Sequence, residues 1–444
     1  MNQVETSSIP TTFQGNETNV TPMDSEKIHG EEKTMTDMDT TTDTTVEAEK
    51  EYVVLEPPTY AYGHDFGNSE IGGVLRKGDS VITRSIPTAF TKINPKVMRN
   101  MGVDMSEALV IQTKGEQVSY GIGSISLSQS NDPWNGRGDI TRYASTYSLR
   151  GLLAMSASMV SDLEYRLMVV TGLPAETYQK NPGLRKEIKA ALNGKHIFSI
   201  DGGRTWRTCH VEVGAIVMEG AGALIAYGSK DQGARASAII DIGGRTTDLY
   251  VARGQVPISD YCQGKPVGVE TATKMVRDAF EDIYGVELMP LEARELMHAY
   301  ADAQRARAEA AAAAAAVSSG TPVKATKRKK VEPRTYPEIT VSGQRIPDAE
   351  LDKLVTEAIK VTAGEIESFV ASSWRQSDAS NAIAARFNPV MVIGGGVFYF
   401  YDALKKRIPH LSQPSEPVFA NGRGYALSAQ ALLDRKKRAA AAKV

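Results

Sequence analysis

The sequence predicts an α/β protein with a cleft between two similar halves, and three observations carry that expectation. Short apolar runs alternate with helically spaced segments along most of the chain, the pattern of helices covering sheets. An Asp-x-Gly turn at Asp65 is echoed 176 residues later by a longer one at Asp241. A third glycine turn, Gly394-Gly395-Gly396, follows a fully apolar run.

Taken in order, residues 1–50 are rich in Thr, Asp and Glu and nearly devoid of large apolar side chains. Such a stretch cannot bury enough surface to offset the entropy of ordering and is expected to be disordered, with the folded part starting near Tyr52. Residues 167–170 read as a strand that ends at the turn Thr171-Gly172-Leu173-Pro174. Residues 195–200 and 206–213 read as a hairpin about Asp201-Gly202-Gly203. Residues 238–242 and 389–393 are apolar strands running into glycines, and 249–251 is the strand that leaves the second turn. Helical spacing covers 267–284 and 348–374. Between those helices, 292–317 ends in seven consecutive alanines, the best helix formers, and Ser318, Ser319, Gly320 and Pro322 stop the run. Lys324, Lys327, Arg328, Lys329 and Lys330 follow as a basic cluster, read as a solvated loop inserted in the second half, with nucleic acid or acidic lipid as the other reading.

Composition narrows the class. The length of 444 residues suits two lobes plus tails. With 51 basic and 53 acidic residues, the net charge of −2 gives no global field to recruit nucleic acid or membrane. Cys209 and Cys262 are too few for a disulfide framework or a zinc site. The longest apolar run, 389–401, falls well short of the roughly 20 residues needed to span a bilayer. The N-terminus lacks the basic-then-apolar pattern of a leader, so the expectation is a cytoplasmic protein in which the sequons at Asn16 and Asn19 are chance matches.

The chemistry sits in the three turns. In His64-Asp65-Phe66-Gly67-Asn68-Ser69, glycine lets backbone N–H groups close on an anion, Ser69 can donate a hydroxyl, and Asp65 would face a bound metal; a plain turn is the competing reading. In Asp241-Ile242-Gly243-Gly244-Arg245-Thr246-Thr247-Asp248, paired glycines and threonines suit a second phosphate loop, with Asp241 as a second metal-facing carboxylate. Gly394, Gly395 and Gly396 open a helix, where free N–H groups can meet an anion or a flat base; close strand–helix packing competes. No G-x-x-x-x-G-K-[ST] occurs and no G-x-G-x-x-G follows the first strand. Asp201-Gly202-Gly203-Arg204-Thr205 lacks the Thr-Asp pair and reads as a structural turn.

With these residues in view, the chain resembles the actin-like ATPases, most of all the ParM/StbA plasmid-segregation group, over about 52–433. Asp65, Gly67, Asn68 and Ser69 match the phosphate-1 motif. Asp241, Gly243, Gly244, Thr246, Thr247 and Asp248 match phosphate-2, and Gly394, Gly395 and Gly396 the adenosine motif. Val217-Met218-Glu219-Gly220-Ala221-Gly222-Ala223 fits the connecting helix between lobes, with Glu219 22 residues before Asp241. Phe419-Ala420-Asn421-Gly422-Arg423-Gly424-Tyr425 resembles the closing segment. Arg245 departs from the pattern, standing where relatives commonly carry a small residue.

The resemblance implies an actin-like (ribonuclease H-like, duplicated) two-lobe α/β ATPase fold with a central nucleotide cleft. Lobe I would cover 51–220, completed by a C-terminal helix at 425–444, and lobe II 221–424, with an Ala-rich, basic insert at about 301–337. It also implies that Asp65 and Asp241 hold Mg²⁺, and that the loops of Gly67, Asn68, Ser69, Gly243, Gly244, Thr246 and Thr247 clasp the phosphates of ATP. Glu219 would orient the attacking water. Gly394, Gly395 and Gly396 would let adenine lie against backbone, and Glu270 and Lys274 would approach the ribose or base. The implied function is ATP hydrolysis coupled to self-association into filaments for plasmid or DNA segregation, through a DNA-bound adaptor protein and without direct nucleic-acid binding by the core. A small-molecule kinase and a chaperone-type ATPase are the alternatives. The first needs a carboxylate base aimed at an acceptor hydroxyl. The second needs a substrate-binding domain, and only about twenty residues follow Tyr425.

Overall fold

A computed structural model describes residues 56–136, 139–228, 235–318, 336–374 and 384–442, with backbone alone for 308–309 and 311–318. The expected disordered stretch 1–50, the expected start near Tyr52 and the basic run 324–330 lie outside the described residues.

The first half holds strands β1 (Thr59–Phe66), β2 (Glu70–Lys77), β3 (Ser80–Pro87), β4 (Phe90–Ile93), β5 (Leu109–Thr113), β6 (Ser119–Ile122), β7 (Glu164–Leu173), β8 (Gly194–Ser199) and β9 (Arg207–Met218). Its helices are α1 (Pro95–Asn100), α2 (Ser124–Gln129), α3 (Thr146–Ala157), α4 (Ala175–Lys180), α5 (Leu184–Leu192) and α6 (Ala221–Tyr227). The second half holds β10 (Ser237–Ile242), β11 (Thr247–Arg253), β12 (Val256–Pro257), β13 (Gln263–Lys265), the small hairpin β14 (Thr340–Val341) and β15 (Gln344–Arg345), then β16 (Val390–Ile393) and β17 (Leu411–Ser412). Its helices are α7 (Val269–Tyr284), α8 (Pro290–Ser318), α9 (Asp348–Ser373) and α10 (Val397–Arg407), and α11 (Ala420–Ala441) closes the chain.

Strand order reveals the duplication. The lobe I sheet runs β3-β2-β1-β7-β9-β8-β5-β6-β4, and the lobe II sheet runs β12-β11-β10-β16-β17. In each, an antiparallel hairpin (β1–β2, β10–β11) lies beside two parallel strands (β7 and β9, β16 and β17). The two sheets thus repeat one arrangement, mixed in α and β.

Strand alternation decides what each face meets. From β1, Tyr60, Tyr62 and Phe66 join Leu152 and Leu153 of α3 and Leu167 and Val169 of β7 in the lobe I core. The other row, Ala61, Gly63 and Asp65, is small or acidic. Ala61 packs with Met168, Val170, Tyr425 and Ala429 under α11. Lobe II repeats the division: Ala238, Ile240 and Ile242 of β10 enter the core with Val276, Phe280 and Ile366. Ile239 instead joins Met218, Leu224, Tyr250, Met391 and Ala420 between the lobes. Asp65 and Asp241 therefore stand at matching places, next to last in their strands and on the faces turned toward α11.

Strand β7 does not end at the expected turn near Thr171; it pairs with β9 as far as Leu173↔Met218. Gly172 serves space rather than a turn, since a Cβ there would lie 2.0 Å from the Tyr425 hydroxyl. The predicted hairpin about Asp201 is β8–β9. Asp201 closes it by accepting from the N–H groups of Arg204 (2.9 Å) and Thr205 (3.0 Å). The expected start of the insert near 301 falls inside α8, whose first turns carry Ala293, Leu296, Met297, Tyr300 and Ala301 into the core.

Helix α11 crosses the lobes at backbone distance. A Cβ on Gly63 would lie 2.1 Å from the Gly422 carbonyl oxygen, and one on Gly424 1.8 Å from the Gly222 carbonyl oxygen. Gly424→Ala is expected to destabilise the protein by about 1–3 kcal/mol or more. Gly364→Ala, in exposed space within α9, should instead stabilise by about 0.5–1 kcal/mol. Urea denaturation of the two variants checks the ordering; equal stabilities would show that the crossing yields easily.

Candidate functional site

The two hairpin turns meet across the cleft. Ser69 Oγ donates to Glu270 Oε1 at 3.0 Å, and a Cβ on Gly244 would fall 1.7 Å from the same Oγ, so only a bare Cα leaves room for the turns to touch. The first turn is held from behind: Thr88 Oγ1 donates to the Gly67 carbonyl (2.9 Å) and the Thr88 N–H to the Ser69 carbonyl (2.8 Å). Arg142 Nη2 donates to the Phe66 carbonyl at 2.9 Å and Nη1 to that of Gly67 at 3.3 Å. At the third turn Gly394 has φ 84°, and its Cβ would strike the Ile242 carbonyl oxygen and Asp241 Oδ1. The adenosine-type turn thus sits flush against the second hairpin.

Between these turns opens about 1160 Å³ of space, its mouth included. Asp65, Gly67, Asn68, Ser69, Glu219, Asp241, Gly243, Gly244, Thr246, Gly394 and Gly395 all line it. Other expected residues do not. Thr247 is fully buried and donates to the Val267 carbonyl (2.8 Å), because its side chain takes the core-facing position of β11. Gly396 is used for packing, its N–H on the Ile242 carbonyl at 2.8 Å. Lys274 projects outward on α7 and pairs with Asp278. Glu270 holds Ser69, and its second oxygen lies 3.5 Å from Arg245 Nε, which turns that guanidinium toward α7. The Gly243 N–H, expected to clasp an anion, is committed to the Thr246 carbonyl at 2.9 Å.

Glu219 is not on the connecting helix. Strand β9 runs to Met218, the Glu219 N–H donates to the Leu173 carbonyl at 2.8 Å, and α6 begins only after Gly220. Gly220, at φ 87°, makes the turn between them. The carboxylate therefore projects from a strand end beside Asp65 and Asp241.

Burial and crowding raise every carboxyl group at the cleft floor. Asp65 is pushed up to about 6 by burial, against the pull of Arg142. Asp241 is pushed up to about 8 by burial, then by Asp65 and Asp248, against a bond from Asn421. Asp248 is pushed up to about 6 by burial, although Thr246 and the Ala175 N–H hydrogen-bond to it. Glu219 is raised well above the carboxylate range by burial first, then by Asp248, Asp65 and Asp241. Such groups share protons rather than ionising together. A cation at the floor would replace those protons, so the donor set fits one. Among the described residues no three acidic, His or Cys side chains converge to hold a metal directly.

Several contacts of the site escaped the sequence reading, which named Asn421 and Asp248 only as members of motifs and did not name Arg142. Arg142 sits on a short 3₁₀ turn, Ile140–Ala144, with no local signal linking it to a loop 75 residues away. Asn421 Nδ2 donates to Asp241 Oδ2 at 2.6 Å while its Oδ1 accepts from the N–H groups of Gly220 and Ala223. Asp248 Oδ1 accepts from the Ala175 N–H at 3.0 Å, joining lobe II to the start of α4. Arg294, Met297, His298, Ala301 and Arg305 form one face of α8 and a wall of the cleft. Their i, i+3, i+4, i+7, i+11 spacing was present in the sequence beside the more conspicuous alanine run. Arg305 lies over the Phe398 ring at 4.0 Å.

Residues 63–222 match the family described as "Actin like proteins N terminal domain". A crystal structure of an archaeal actin homolog superimposes with TM-score 0.60 at 17% identity, covering 84% of this chain and 99% of that one. A protein of a 15-stranded ParM filament from Clostridium botulinum gives 0.61 at 18%, covering 85% and 99%. Bacillus thuringiensis ParM with ATP gives 0.58 at 13%, covering 85% and 99%. Comparison with curated protein sequences finds no match. Residues 63–222 thus match an actin-like N-terminal domain, and the chain as a whole has an actin-like fold similar to that of ParM proteins.

One contact across the cleft predicts an acid response. Glu70 of the first hairpin pairs with Arg294 of α8 at 2.5 Å. Burial pushes the Glu70 carboxyl up, but Arg294, helped by Ser85 and His298, brings it below the usual range. A depressed folded-state value means that the contribution is present above the ordinary glutamate value and lost as pH falls through the lower one. Wild-type protein should lose up to about 1 kcal/mol between pH 6 and pH 3 that Glu70→Gln does not lose. Chemical denaturation at both pH values compares the two proteins, and parallel losses would rule the pair out as the source.

Proposed function

We propose that this cleft binds Mg-ATP and hydrolyses it, and that hydrolysis times the assembly of filaments that segregate DNA. The observation that carries this reading is the pair of Asp-bearing hairpins set face to face on one cavity, with a third glycine turn against the second. Phosphoryl transfer needs mostly positioning and charge neutralisation; the turns would supply the first, and Arg142 with a bound cation the second. The turns of Gly67-Asn68-Ser69 and Gly244 to Thr246 hold the phosphates between the lobes. Arg142, fixed by two carbonyls, offsets charge beside them. Asp65 and Asp241 would hold Mg²⁺ through water, and the ion would neutralise the β- and γ-phosphates. Glu219 orients the attacking water. The base is assigned to the wall of Met297, His298, Ala301, Arg305 and Phe398 with Gly394 and Gly395, in place of Glu270 and Lys274.

Filament assembly is inferred from the similarity to the ParM filament protein, and head-to-tail contacts that do not close give open polymers. A net charge of −2 offers no field for DNA, so we assign DNA contact to an adaptor protein. Among the described residues no helix is long and apolar enough to cross a membrane, and a cytoplasmic location is part of the proposal. Sedimentation with ATP, with ADP and without nucleotide tests it. ATP-dependent pelleting is expected, whereas turnover that requires an added acceptor would favour a kinase, and absence of ATP binding by calorimetry would overturn both.

Glu219→Gln should bind ATP with nearly wild-type affinity and hydrolyse it about 10²–10⁴-fold more slowly, since a water-orienting group acts mainly in the transition state. Single-turnover kinetics beside calorimetry make the distinction. Asp241→Ala should lose Mg-dependent nucleotide binding while Asp201→Ala keeps it; equal losses would place the metal elsewhere.

A further inference from the structure

Tyr425 is fully buried where α11 crosses the lobe I sheet, packed with Ala61, Met168, Val170 and Ala429. Its hydroxyl has no hydrogen-bond partner among the described residues. Buried phenols nearly always find one, and an orphan of this kind calls for an explanation. The position of the hydroxyl supplies it. A Cβ on Gly172 would lie 2.0 Å from the Tyr425 oxygen and 3.2 Å from Glu219 Cγ. The hydroxyl and the Glu219 arm therefore flank the same glycine, at the floor of the cleft. Burial, then Asp65, Glu219 and Asp241, keep the phenol protonated. A donor without an acceptor thus stands across Gly172 from a carboxyl group that can accept, and a buried water is the usual link between such groups.

We propose that Tyr425 is a positioning residue: its hydroxyl donates to a buried water, and that water donates to the Glu219 carboxyl group and holds it in the orientation that hydrolysis uses. The inference rests on the hydrolytic reading of the cleft. Tyr425 itself touches neither nucleotide nor metal; it acts through Glu219. Gly172 belongs to the same device, because any side chain there would displace the hydroxyl.

Tyr425→Phe removes one oxygen and keeps the ring. The variant should lose about five- to tenfold in kcat, the scale of one hydrogen bond. Its nucleotide affinity and melting temperature without nucleotide should stay near wild type. In a Glu219→Gln background the same change should cost nothing further, because both act through one group. High-resolution crystal structures of the nucleotide-free proteins give the readout that does not depend on activity. The wild type should show a water within hydrogen-bond distance of Tyr425 Oη and Glu219, and Tyr425→Phe should lack it. Wild-type kcat in the variant, additive losses in the double variant, or no such water in the wild type would overturn the proposal. A wild-type protein that binds ATP without hydrolysing it would instead overturn the hydrolytic reading, and the water would still decide whether Tyr425 holds Glu219.

Discussion

Helix α11 reaches the strands and the helix beneath it through bare backbone. Gly422 and Gly424 on its side, and Gly63 and Gly222 opposite, bring main chain to main chain at distances that no Cβ would permit. The gain is positional rather than energetic, since glycine in a helix costs about 0.5–1 kcal/mol relative to alanine. Because the helix sits so deep, Asn421 reaches Asp241 and the turn after Glu219 together, and Tyr425 ends beside Glu219. A segment from the far end of the chain thereby ties the lobe I strand end to the lobe II strand end. A thicker interface would part the two hairpins.

Charge is the second constraint. The floor gathers Asp65, Glu219, Asp241 and Asp248, and burial raises all four. Arg142 opposes Asp65 and Glu219 from between the Phe66 and Tyr143 rings, where its guanidinium is already bonded to backbone and to the Tyr143 hydroxyl. Carboxylates kept this close and this dry are poor for stability by themselves. Their arrangement makes sense as a site whose charge is completed by what it binds.

Much of this was legible in the sequence, for physical reasons that differ by element. The two hairpin turns were readable because each packs a strand-end carboxylate and close-packed glycines into a few adjacent residues, and the third because an apolar strand runs straight into three glycines, of which Gly394 and Gly396 leave no room for a Cβ. Helices 269–284 and 348–373 were readable from apolar spacing. Glu219 was placed in the right neighbourhood but on the wrong element, since Val217 to Ala223 mixes apolar and glycine residues that suit either a strand end or a helix start. Only the pairing of β9 with β7 settles it, and pairing is a long-range property. Lys274 was chosen for lying after the second loop, yet α7 turns that position to solvent. Arg142 could not be found at all, because nothing in its own segment encodes the loop it supports.

Helix α8 joins two regions of the chain that otherwise look unrelated. Its first turns are built into the cleft wall, and the same helical backbone continues through the alanine run to Ser318. At 1.5 Å per residue its 29 residues form a rod about 43 Å long, of which roughly the last 20 Å lie beyond Arg305. A rod behaves as a gear. A tilt of about 10° at the wall, pivoting near Arg305, would carry the far end about 3 Å sideways with no bend in between. Small adjustments at the cleft wall would thus reach Ser318, about 20 Å along the helix, at comparable amplitude.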